Sequence, residues 1–299
     1  MNAPAVVLLA QAVRMAVPYA CAGLGGVWSE RSGVPNIALE GVLLWGGFAA
    51  VAAHLATGSA WAGVAAGMGT GAAIGCAHAL LVEHGRVHAI VSGLAINLVA
   101  VGGTRFLLRA LYDSSSNSPA VAGLRQTGLE GGLLVRTLVD PLAIVAAGLV
   151  AWSVWAMPRT RFGLRVRAAG DGPHAAISAG IDVSSLRVAA VALGCAICGL
   201  GGVALAYDQH CFQSNMSAGR GFIALAAVIL AGWRPGRTVA ACALFAALDA
   251  LQITLQSGSN GRLSEAIQLL PYAATLAALG ALSRRGTKVP AGLTRLSMD

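Results

Sequence analysis

The hydrophobic positions of this chain fall into nine runs: Ala5–Val27, Ile37–Ala56, Ala60–Val82, Ala89–Leu111, Leu138–Met157, Leu186–Ala206, Gly221–Gly232, Thr238–Leu255 and Ala266–Leu282. All but one approach the roughly 17–25 residues that a spanning helix needs. Strict alternation of apolar and polar residues over about ten positions, the mark of a spanning strand, is absent, so the pattern predicts helices and not a barrel. The expected fold is all-α, a polytopic transmembrane helix bundle of about 8–10 spans. The exception is Gly221–Gly232, about 18 Å long as a helix, where a crossing takes about 30 Å. Either neighbouring residues contribute or this helix is discontinuous, and short helices of that kind point to a transport pathway.

Three connections are long or polar. Tyr112–Thr137 carries Ser114, Ser115, Ser116, Asn117, Ser118 and Pro119 and reads as an external loop. Pro158–Ser185 carries Arg159, Arg161, Arg165 and Arg167 and a helical stretch of its own. Tyr207–Arg220 is polar and leads into the short run. In the third run Gly63, Gly67, Gly71 and Gly75 recur every four residues, which puts them on one helical face and lets another backbone approach closely.

Composition narrows the class. Of 299 residues, 57% are hydrophobic and 11% charged, against about 25% charged in a soluble domain. With a mean hydropathy of +0.72, that excludes a pair of soluble domains, a disordered chain and a nucleic-acid binder. The net charge is +8, and Lys288 is the single lysine. The positives fall mostly on alternate connections: Arg31, Arg86, the set from Arg159 to Arg187, Arg234 and Arg237, then Arg284 to Arg295. The positive-inside bias assigns that side to the cytoplasm and, with nine spans, the amino terminus to the outside. The first charge is Arg14, so no basic leader precedes a short apolar core and the first run is expected to be retained.

Catalytic signatures fail. Lys288 follows Gly286 and Thr287 without the frame of a nucleotide-binding loop. Cys195 and Cys198 form a C-x-x-C with no second Cys/His pair nearby, so the cysteines read as small hydrophobes. His78, Glu83, His84 and His88 read as an interfacial polar turn. Ser32-Gly33 and Ser92-Gly93 lack an esterase elbow.

Polar residues inside the apolar pattern are the remaining candidates, because a charge in a membrane helix needs a partner or water. Between Ser29 and Gly41 the chain breaks at Gly33-Val34-Pro35, and a helix restarting at Asn36 would put Asn36 and Glu40 on one face. Gly170-Asp171-Gly172-Pro173 is a helix-start signal, followed by a short helix that stops at Gly180. Gln213 to Ile229 joins polar donors, Gly219-Arg220-Gly221 and the short run. Asp249, Gln252 and Gln256 make one polar stripe on the eighth run, with Asn97 a milder case in the fourth.

At these residues the chain resembles the permeases of ABC importers, in the nucleoside and simple-sugar branch of the ribose and branched-chain-amino-acid permeases. The similarity rests on Glu30–Gly41, on Arg167–Ile181 and on Asn215–Ile229, in that order, and runs more weakly over nearly the whole chain. Pro35 stands where the family usually has an aliphatic residue, and Asp171, Gly172 and His174 depart from its loop. The resemblance implies a type II importer permease: one transmembrane domain over 1–285, with a coupling loop at about 158–186, and a cytoplasmic tail over 286–299. It implies a second permease, cytoplasmic ATPase subunits that hold ATP and Mg, an external binding protein, a lipid bilayer in the inner membrane, and no cofactor or nucleic acid on this chain. Arg167, Gly170, Asp171, Gly172, Pro173, His174, Ala175, Ala176 and Gly180 would then contact the ATPase. Asn36, Glu40, Asn97, Asn215, Arg220, Phe222, Asp249 and Gln252 are the candidates to line the path of a nucleoside, or of a simple sugar or riboflavin. The competing class is a stand-alone secondary transporter with Glu40 or Asp249 as its ion site.

Overall fold

A computed structural model describes residues 4–124 and 133–256, and residue 273 singly. The ninth apolar run and the tail lie outside the described residues. The chain forms α1 (Pro4–Arg31), α2 (Leu39–Thr57), α3 (Ala60–Glu83), α4 (Ala89–Tyr112), α5 (Leu133–Leu138), α6 (Pro141–Arg159), α7 (Arg161–Asp171), α8 (Pro173–Ser178), α9 (Val183–Asp208), α10 (Arg220–Leu230) and α11 (Pro235–Gln256). Seven of these are long and apolar enough to cross a membrane, and α10 is an eighth apolar helix too short to do so.

Local chemistry sets the boundaries. Ser59 caps α3 by accepting from the Ala62 N–H, Asp140 caps α6 ahead of Pro141, Thr160 caps α7 and Asp182 caps α9. Each supplies one of the backbone bonds that a helix start lacks. Hydrogen bonds from Ser185 hold the exposed Asp182 carboxyl below the usual carboxylate range. Gly58 closes α2 at φ +71°, a conformation open to glycine at no steric cost.

The core is built around α9, the most buried of the long helices. It packs on α1, α2 and α3, while α11 lies along α1. Small residues allow the close approach. The stripe from Gly63 to Gly75 faces α2 and α9 as the spacing predicts: a Cβ at Gly71 would stand 3.1 Å from the Cys195 carbonyl carbon and 3.2 Å from the Gly199 Cα. Gly71→Val therefore has no room, and overpacking of this kind costs about 1–3 kcal/mol. A lower melting temperature in detergent, with Gly69→Val unchanged as the control because nothing lies within 4 Å of it, would register the effect.

The helix ends gather into two layers. At one end Arg31 meets Asp171 and the Trp233 carbonyl, and Arg187 meets Ser32 and Glu83. At the other, the loops join: Asn117 bridges to Gln213, Val121 N–H donates to the His210 carbonyl, and Tyr207 donates to the Ala60 carbonyl. This grouping gathers the arginine-bearing connections at one end of the bundle, as the alternation of loops along the chain predicts.

Candidate functional site

The site begins with a break in the chain. After Arg31 the backbone turns at Gly33, φ +95°, and does not resume a helix until Leu39. Asn36 is thus in the turn, not on the α2 face that a restart at Asn36 would give. Its side chain accepts from the Ala38 N–H and donates to the Cys195 Sγ at 3.3 Å. That bond to the Ala38 N–H explains the delay, since it offers the backbone a local turn in place of a helical start. Asn97 on α4 braces the same turn: it accepts from Gly41 N–H at 2.8 Å and donates to the Ile37 carbonyl at 2.9 Å.

His78 is fully buried, not part of an interfacial turn. Its Nε2 lies 3.1 Å from the Pro35 carbonyl, which can only accept, so Nε2 carries the proton and Nδ1 accepts from Ser92 at 2.9 Å. Glu83, from the same polar group, pairs with Arg187 at 2.8 Å. The spacing of these residues carried no sign of either partner. Cys195 and Cys198 are buried free thiols, and the described residues hold no group of three or more potential metal ligands.

Glu40 is the centre of the site. It is 6% exposed and accepts three hydrogen bonds from the chain before and within α10: Ser217 Oγ at 2.5 Å, Gly219 N–H at 2.8 Å and Gly221 N–H at 2.7 Å. Gly219, the residue at the N-cap position, has no side chain to do this. The carboxylate caps a helix start from another helix, where the N-terminal partial positive charge favours an anion. Gly221 makes the approach possible, because a Cβ there would stand 2.5 Å from the Glu40 nitrogen. The chain reaches this point through a wound segment with Asn215, Ala218 and Gly219 all at positive φ. Ala218 at φ +46° is the costly member, by about 1–2 kcal/mol.

α10 itself is 11 residues, about 16 Å, half of a bilayer core. Its carboxyl end is tied to the same segment of chain as its start. Trp233 Nε1 donates to Glu30 at 2.5 Å, and Arg31 Nε donates to the Trp233 carbonyl at 3.0 Å. Glu30 and Glu40 thus bracket the half-helix from both ends.

Beside its start is a cavity of about 140 Å³, lined by Tyr19, Ala218, Arg220, Ile223, Asp249, Gln252 and Ile253. Asp249 accepts from Tyr19 Oη at 2.8 Å and lies 3.6 Å from Arg220 Nε. Arg220 also donates to the Met216 carbonyl. The structure thus brings Arg220, Asp249 and Gln252 together at one cavity. Asn36, Glu40 and Asn97 serve the scaffold around it. Asn215 is exposed and Phe222 is 45% exposed, both off the cavity wall. Tyr19 is the member missed in the sequence, where nothing separates it from the other aromatics of an apolar run.

The candidate coupling residues split over two helices. Arg167, Gly170 and Asp171 end α7, and Pro173 to Ala176 begin α8, with Gly172 between and Gly180 at φ +78° beyond. Gly170 packs backbone to backbone on Arg31 and Gly33. On α8, Ala176 faces inward while His174, Ala175 and Ile177 are exposed.

The family model for the permease component of branched-chain amino acid transport systems matches residues 8–279. The chain is 33% identical over 255 residues to the guanosine ABC transporter permease protein NupQ of Bacillus subtilis, covering 80% of this chain and 79% of the relative. It is 32% identical over 300 residues, 91% of each chain, to the nucleoside ABC transporter permease protein NupC of Lactococcus lactis. It is 32% identical to the putative glucose ABC transporter permease protein TsgC13 of Haloferax volcanii, over 84% of this chain and 78% of the relative. No solved structure matches. With seven apolar helices of spanning length and a broken helix beside a polar cavity, the chain belongs to the branched-chain amino acid transport system permease family, and is a multi-pass inner-membrane transport subunit of an ABC importer.

Proposed function

We propose that the chain conducts a nucleoside, or failing that a simple sugar, past α10, driven by ATP bound with Mg on separate ATPase subunits. The observation that carries the reading is the half-helix whose start lies inside the bundle next to Arg220, Asp249 and Gln252. The names of the relatives, guanosine, nucleoside and glucose permeases, support the choice of solute. A second permease and an external binding protein complete the assembly in this reading. The exposed face of α8 docks to the ATPase, and the backbone contact of Gly170 on Arg31 passes its displacement to the turn that leads to Glu40.

An ion-coupled mechanism is less well supported by the same geometry. Glu40 is held by three donors, and the Asp249 charge is compensated by Arg220 beside it, so neither carboxylate offers a cation an uncompensated charge. Reconstitution with an ATPase pair, a second permease and a binding protein tests the proposal. Uptake of labelled nucleoside that needs ATP, persists when ion gradients are collapsed, and is competed by other nucleosides is the expected result. Uptake by this chain alone, driven by an ion gradient, would overturn it.

A further inference from the structure

We infer that the cavity between α1, α10 and α11 is a subsite for the hydroxyl-bearing sugar ring of the solute, and not for a nucleobase. The inference rests on the proposed nucleoside or sugar transport and names which part of the solute this chain reads.

Size comes first. The cavity measures about 140 Å³, and an engineered protein cavity of about 150 Å³ takes one benzene-sized ring. One ring of the solute fits, not a sugar and a purine together. The wall decides which ring. A base is held by stacking on an aromatic face, worth about 1–3 kcal/mol per base. Tyr19 is the one aromatic among the described lining residues. It is 1% exposed and its hydroxyl donates to Asp249, so its ring face is not offered to a ligand.

What the cavity does offer is a carboxylate, a guanidinium and an amide. Arg220 Nε stands 3.6 Å from Asp249 Oδ2, too far for a hydrogen bond, and it has no hydrogen-bond partner among the described residues. The pair is thus not closed on itself, and a hydroxyl on the cavity side can donate to the carboxylate and accept from the guanidinium. Gln252, one helical turn along α11 from Asp249, can donate and accept for a neighbouring hydroxyl. The two charges compensate each other, which suits a neutral solute. A ring with adjacent hydroxyls is the chemistry that a nucleoside and glucose share, so a site of this design suits either solute class.

The test crosses solute with variant in the reconstituted, ATP-driven assembly. The probe pairs are guanosine with dideoxyguanosine, and D-ribose with deoxyribose. For whichever parent is transported, Asp249→Asn is expected to lower its maximal uptake about tenfold, the effect of weakening a charge-assisted hydrogen bond, while the deoxy partner keeps its rate. Gln252→Ala, a milder change, is expected to show the same selectivity on a smaller scale and covers the case where Asp249→Asn fails to assemble. Equal losses for both members of a pair, or none, would overturn the subsite while leaving nucleoside or sugar transport standing. A wild-type assembly that moves neither parent, nor any other nucleoside or simple sugar, would overturn the transport reading itself, and the subsite with it.

Discussion

Replacing Glu40 with alanine is expected to abolish uptake and to destabilise the protein by about 3–6 kcal/mol. Three donors lose their acceptor at once: the Ser217 hydroxyl and the N–H groups of Gly219 and Gly221. Each buried donor left without a partner costs about 1–3 kcal/mol, and neighbouring losses do not add fully. The Ser217 hydroxyl can rotate to another acceptor, but the two backbone groups at a helix start cannot. They have no local substitute, because Gly219 carries no capping side chain. Glu40→Gln separates shape from charge. The amide oxygen can still accept from Ser217 and Gly219, but the amide nitrogen then faces the Gly221 N–H, so one backbone bond is lost together with the charge, at a cost of about 1–3 kcal/mol. Gln is therefore expected to fold and to transport weakly, and Ala to accumulate poorly in the membrane. Thermal melts in detergent together with ATP-dependent uptake distinguish the two. Equal stability of the alanine variant and wild type would show that Glu40 is not the cap on which α10 depends.

The parts of this arrangement were unequally legible in the sequence. Hydrophobic periodicity depends on neighbouring residues alone, so the long helices and the shortness of α10 could be read directly. The glycine stripe of α3 was legible for the same reason, since a spacing of four fixes a face without reference to the partner. The role of Glu40 was not, because its three donors lie 177 to 181 residues away. Polarity in an apolar run marks a residue as needing a partner, and both Glu40 and Asp249 carried that mark. It does not say which residue the partner is, so scaffold residues such as Asn36 and Asn97 looked the same as Arg220, Asp249 and Gln252 on the cavity. The misplaced start of α2 has a more local origin. The apolar run resumes at Ile37, but the Asn36 side-chain bond to Ala38 N–H holds the chain in a turn for two more residues.

Gly170→Val is expected to separate ATP hydrolysis from transport. The backbone of α7 touches that of α1 at this residue, where a Cβ would overlap the Arg31 carbonyl oxygen and stand 2.9 Å from its carbon and 3.3 Å from Gly33 nitrogen. Three of these atoms belong to backbone, which cannot rotate aside as a side chain can, so α7 must move off the turn. The adjacent ion pair cannot hold it. Arg31 and Asp171 are 3.4 Å apart and the Asp171 side chain is 53% exposed, and such exposed pairs are worth about 0–1 kcal/mol. Asp171→Asn alone should therefore change uptake less than about fivefold, the scale set by that energy. Asp171→Arg should do more, because it faces Arg31 with a like charge where Arg167 and Arg234 already act on it. In the valine variant the exposed face of α8 is untouched, so an ATPase can still dock and turn over while its displacement no longer reaches the turn at Ser29–Gly33. Uptake about tenfold or more below wild type, with ATP hydrolysis retained, is the predicted pattern for an overpacked contact costing about 1–3 kcal/mol. Parallel loss of both activities would mean that Gly170 shapes the docking surface itself, and unchanged uptake would mean that movement reaches α10 by another route, through α9 and the Arg187 bond to the Ser32 carbonyl.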